Sequence, residues 1–255
     1  MTNLNSDQKN QAENLLNKKR RRLRLRKSNF EEGGVERELS SFFSGIAGSA
    51  RNIGILELAV GDRDAAEEAF ADATTYYERS AAEDSLPVHS ARQRMQGMYT
   101  ALLAGEESAL VDIAESMQRL AAEEDCDPDD QWADRYFLGW CLSGAVLGTV
   151  NDAALAGLET VNDEKPGAHA HYGRAVLSTA RGIRDDEPAA IQSGVESMVT
   201  FHEQDMDADN VVKQIMSVEA TALAILGRAK GYSPAISSEF IPMDLVEASA
   251  ASFHL

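Results

Sequence analysis

The chain has 255 residues, 44% of them hydrophobic, and no run of eighteen apolar residues, so it can bury a sizeable core and predicts neither a disordered polymer nor a membrane protein. The first thirty residues hold no signal-peptide pattern, and the two cysteines, Cys126 and Cys141, sit far from any CxxC spacing. That spacing argues against a disulfide framework and a thiolate zinc site, and a reducing, cytoplasmic setting is the expectation.

The net charge of −18 is unevenly spread. Eight of the 24 basic residues fall within residues 18–27, and residues 31–255 carry 40 acidic and 15 basic residues, a formal charge of −25. Only Lys165, Lys213 and Lys230 are lysines in that body. An acidic, lysine-poor surface matches adaptation to molar intracellular salt, which predicts a halophilic archaeal source; the competing reading is that the acidity captures a basic partner.

In chain order, residues 1–33 form a basic N-terminal segment, helical or flexible, and 34–255 a single helical-repeat domain. The cations Lys18, Lys19, Arg20, Arg21, Arg22, Arg24, Arg26 and Lys27 are candidate anion-binding residues. No aromatic residue interleaves them and the acidic body repels DNA, so a tail or a helix lying on the chain's own body is favoured over nucleic-acid binding. The small residues Ser44, Gly45, Gly48 and Ser49 lack the spacing of a phosphate loop.

Apolar residues then recur at helical spacing. After Gly61, Asp62 can cap a helix whose inner face is Ala66, Ala69, Phe70, Ala73 and Tyr76 or Tyr77. A second inner face is Leu110, Ile113, Met117 and Leu120; a third is Trp132, Tyr136, Trp140, Gly144 and Leu147. A late helix runs from Val211 and Val212 through Ile215, Met216 and Val218 to Leu226, with Glu219 near the middle of its apolar face. That carboxylate needs an arginine from a neighbouring helix or marks a functional site.

Self-comparison reveals a repeat. A helix ends in a small or apolar residue plus glycine, a few polar residues turn the chain, and a second helix opens with small residues. Copies are centred on Gly61, Gly105 and Gly148, spaced 44 and 43 residues apart, with a fainter copy at Gly182. Such a glycine fits a helix C-cap with positive φ, and the period fits two helices and two turns. Breaks at 84–87, 123–130, 162–167, 205–209 and 231–234 separate helices, not domains. The predicted fold is all-α, an α-solenoid-like array of antiparallel helix pairs related in architecture to tetratricopeptide arrays.

Catalytic signatures are missing. Asp125, Asp127 and Asp129 alternate as calcium ligands do, but Asp130 stands where that loop needs glycine and Tyr136 where it needs glutamate. His169 and His171 lack the partners of a helical metal site, and no GxSxG, GxxxxGK[ST] or GxGxxG occurs. The expectation is a protein without enzymatic activity, metal or cofactor.

The end of the chain, from Ala224-Ile225-Leu226-Gly227 through Glu239-Phe240-Ile241-Pro242 to Leu245-Val246, resembles the C-terminus of the immunity protein 49 family of polymorphic toxin systems. The stretch 167–202, with Tyr172, Arg174 and Phe201-His202, is similar to that family's penultimate helix pair. The resemblance implies an all-α protein that binds and neutralises a cognate toxin without chemistry of its own. A general helical-repeat adaptor is the alternative. Trp132, Tyr136, Trp140, Tyr172 and Phe240 are the candidate partner-binding residues, and an acidic groove suited to a basic partner is the electrostatic expectation.

Overall fold

The computed structural model describes residues 6–34, 38–207 and 209–255, so the first five residues of the basic segment and position 208 in the 205–209 break lie outside it. Among the described residues there are twelve helices and no strand. The core of the array is four helix pairs: α2 (Leu39–Val60) with α3 (Arg63–Glu83), α4 (Pro87–Ala104) with α5 (Glu107–Glu123), α6 (Ala133–Leu147) with α7 (Asp152–Asp163), and α8 (Ala168–Arg184) with α9 (Pro188–Asp205). Each helix of these pairs packs on the next, and α6 also packs on both α4 and α8, so successive pairs stack side by side.

The repeat glycines do what their spacing predicts. Gly61, Gly105 and Gly148 close α2, α4 and α6 with φ of 91°, 71° and 69°. At the first, Asp62 N–H reaches back to the Glu57 carbonyl at 2.9 Å, capping carbonyls the helix leaves open. Asp62 then caps α3, its Oδ1 accepting from Ala65 N–H at 3.1 Å.

The fourth copy differs. Gly182 is not a cap but a buried residue inside α8, which runs on to Arg184; Asp186 takes the left-handed position instead, with φ of 54°. Glu187 N–H bonds the Gly182 carbonyl at 2.8 Å, completing the same kind of cap. A Cβ at Gly182 would lie 2.7 Å from Ile191 Cγ1, so its glycine serves the close approach of α9.

Two further boundaries depart from the apolar pattern. The late apolar run is two helices, α10 (Val211–Ile215) and α11 (Val218–Ala229), because Met216 turns extended and Ser217 donates its N–H to the Phe240 carbonyl at 2.9 Å while capping α11. Trp132 does not join the face of α6; it precedes the helix in a left-handed conformation, φ 72°, and is 45% exposed.

The ends of the chain close the array. α11 is buried at nine of its twelve positions and packs on α4, α9 and the short α12 (Met243–Ala250). Helix α1 (Ser6–Glu31) lies along α2, burying Ala12, Leu16 and Leu23 in the common apolar cluster. Leu15 packs partly buried against the same cluster, and Phe30 meets Phe42 and Phe43 of α2 with ring centroids 5.6 and 5.2 Å apart; charge adds to this apolar contact. Arg20 pairs with the buried Glu57, Lys27 reaches Asp72 of α3 at 2.7 Å, and Arg26 Nη1 donates to the Gly45 carbonyl and to Ser49 Oγ, both at 3.2 Å. The described part of the basic segment lies on the chain's own body.

Candidate functional site: an interhelical cleft

Between α1, α2, α4, α6, α8 and the α9–α11 segment lies a cleft of about 1030 Å³. That is the upper end of the volume range of small-molecule pockets. Its floor is built from residues the helices cannot bury cheaply. Helix α2 carries two charged residues, Arg51 and Glu57. Glu57 is answered by Arg20, and Arg51 points into the cleft. A charge set in an apolar helix must be matched by a partner or by solvent.

Arg51 is matched only in part. Its Nη1 donates to Gln96 Oε1 of α4 at 2.6 Å, while its Nε is buried with no hydrogen-bond partner. Burial works against its charge, yet the Tyr77 phenol, Glu219 and Tyr172 nearby hold its pKa above the usual arginine value. With Nη1 engaged, the Nε–Nη2 edge is left unused, the edge that forms a two-pronged bond to a carboxylate.

Glu219 stands in the first turn of α11, where the helix dipole favours an anion. It lines the same floor and acts electrostatically on Arg51, Tyr99, Tyr172 and His202. The arginine partner expected from a neighbouring helix is thus Arg51 in charge but not in contact: among the described residues no hydrogen bond or ion pair within 4.0 Å joins Glu219 to any side chain.

One wall is aromatic and thioether. Tyr172 of α8 lies edge-on to Phe201 with ring centroids 5.0 Å apart, and its hydroxyl meets that of Tyr99 at 3.2 Å. Burial raises the pKa of both phenols, so both stay protonated as donors. His202 is buried beneath, its Nε2 2.8 Å from the Lys213 carbonyl; a carbonyl only accepts, so Nε2 carries the proton. Burial lowers its pKa, against the opposing pull of that carbonyl and of Glu219.

The rim carries Lys18, Lys19, Arg92, Arg135 and Lys213 against Asp134, Asp205, Asp207 and Asp209. Lys213 is paired with Asp205 at 2.5 Å, and Asp134 with Lys165 at 3.2 Å. Counting the floor, six cations face five acids. In a chain with 42 acidic and 24 basic residues, that corrects the expectation of an acidic groove: this cleft is mixed and slightly cationic.

The residues singled out from sequence are dispersed. Of the aromatics, Tyr172 reaches the cleft. Tyr136 is buried, its hydroxyl donating to the Glu124 carbonyl at 2.6 Å to pin the α5–α6 loop, and burial beside Cys126, Asp125 and Glu124 pushes its pKa up to about 12. Phe240 is packed against His202, ring centroids 4.9 Å apart, where the chain crosses Ser217. Trp140 is partly buried and donates Nε1–H to Gln118 Oε1 at 3.2 Å. Trp132 is exposed and stacked under Arg135, whose guanidinium sits 4.0 Å from the ring centre. Packing explains Tyr136 and Phe240: neither presents a surface.

Of the basic cluster, Lys18 and Lys19 join the cleft rim, and burial with the nearby Arg22 and Arg26 lowers the Lys19 pKa. Arg20, Arg26 and Lys27 are engaged within the chain, while Arg21, Arg22 and Arg24 are exposed. Sequence reasoning found Glu219 but passed over Arg51, although an arginine inside the run from Ile46 to Leu56 carries the same signal of a charge placed against the apolar pattern.

Compared with known proteins, the chain matches no family model, no curated protein and no solved structure.

Proposed function

We propose that this chain is a non-catalytic binding protein of the immunity type, which holds a cognate toxin through the mouth of the interhelical cleft. The observation that carries the reading is the cleft itself. It is walled by helices from both ends of the sequence and rimmed by charges of both signs, which suits selection of one partner rather than nonspecific adhesion. The C-terminal resemblance narrows the partner to a toxin, and the two unpaired cysteines agree with action in the cytoplasm. The acidic body, in the same reading, is adaptation to high salt. The regular glycine-capped pairs favour a general helical-repeat adaptor as second reading.

The neighbouring reading frame supplies the test. Its product is expressed in cells with and without this chain, and survival and co-purification are scored. Rescue with a stoichiometric complex is expected. A toxic neighbour that this chain neither binds nor neutralises contradicts the immunity reading, and recovery of a housekeeping complex instead favours the adaptor.

A further inference from the structure

The cleft floor holds two opposite charges that do not meet. Arg51 presents an unused Nε–Nη2 edge, and Glu219, on the facing helix α11, has no hydrogen-bonded or ion-paired partner among the described residues. Both are fixed on packed helices, α2 and α11, that form part of the core. Opposite charges in a partly desolvated space gain most by closing to contact. Held apart instead, they form a receptor for a molecule that carries both charges and spans them.

We infer that the floor of the cleft binds a small zwitterion of the amino-acid type, with its carboxylate on the Arg51 edge and its ammonium group toward Glu219. The fork of Arg51 suits a planar carboxylate, and Glu219 disfavours a dianion such as phosphate at the same place. The apolar part of the ligand has a wall waiting for it: Tyr172, Phe201 and Met95 line the cleft beside the two charges. The site does not depend on the partner reading above, since it occupies the floor and leaves the rim charges free.

Thermal melting and calorimetric titration of the full chain test this, with the free amino acids and a set of unblocked dipeptides as probes. At least one zwitterion is expected to raise the melting temperature by several degrees at millimolar concentration. Its N-acetyl form, lacking the ammonium, and its C-terminal amide, lacking the carboxylate, should each bind at least tenfold more weakly. Arg51→Lys keeps the charge and removes the fork; Glu219→Gln keeps the shape and removes the charge. Each should lose binding at least tenfold while retaining a wild-type helical spectrum. If no probe binds the wild-type chain, if blocked and free forms bind alike, or if both variants bind like wild type, the inference is overturned. Toxin capture that persists in either variant leaves the partner reading standing, so the two failures are distinguishable.

Discussion

Three polar residues set against the apolar grain organise this molecule at the scale of single side chains: the buried Glu57 and His202, and Arg51, whose Nε is buried. Glu57 is answered by Arg20; Arg51 and His202 are oriented by Gln96 and the Lys213 carbonyl. His202 gives a pH dependence whose sign is fixed. Its pKa is lowered in the folded chain, so the fold favours the neutral ring. Its contribution is complete above the ordinary histidine value of about 6.5 and is lost as pH falls from there toward the lowered value, because the unfolded chain takes up a proton that the folded one resists. Urea midpoints measured at about pH 7.5 and pH 5.5 should therefore drop less for His202→Gln than for the wild-type chain. Equal drops would assign the acid sensitivity to other groups.

Helix pairs set the next scale, and here the sequence was most informative. Glycine spacing located three of the four hairpin turns, and the Pro- and Asp-rich breaks located the junctions between successive pairs, because caps and turns are decided by residues within one turn of the event. What it did not reveal was decided at a distance. The run from Val211 to Leu226 is apolar throughout, and only the Phe240 carbonyl, arriving from downstream to meet Ser217, divides it. Gly182 looked like a cap and serves packing; the two roles of glycine are separable by substitution. Gly61 has positive φ and open space around it, so Gly61→Ala carries the conformational cost alone, about 1–2 kcal/mol. Gly157 is helical, and a Cβ there would lie 2.1 Å from Phe137 Cε1, so Gly157→Ala must displace a buried ring and should cost about 1–3 kcal/mol or more. Denaturant unfolding of the two variants measures both; a neutral Gly157→Ala would show that α6 and α7 can separate without loss.

At the scale of the whole molecule, charge and cleft belong together. Residues 31–255 are strongly acidic, α1 returns part of the missing positive charge to Glu57 of α2 and Asp72 of α3, and the cleft collects six cations from five helices. None of this grouping is legible along the sequence, since the lining residues come from nearly its whole length. Self-repulsion of the body should be relieved by salt. The melting temperature is expected to rise between about 0.1 M and 2 M KCl; a fall would argue that ion pairs such as Lys27–Asp72, which salt weakens, outweigh the repulsion.

The cleft mouth as the partner-binding face is the central claim, and charge reversal tests it most directly. The affinity of the chain for the product of its neighbouring frame is measured for wild type, for Lys18→Glu with Arg92→Glu on the rim, and for Arg119→Glu on the exposed surface of α5, outside the cleft. A loss of at least tenfold confined to the rim variant is the expected result. Equal affinities for all three chains would contradict the claim.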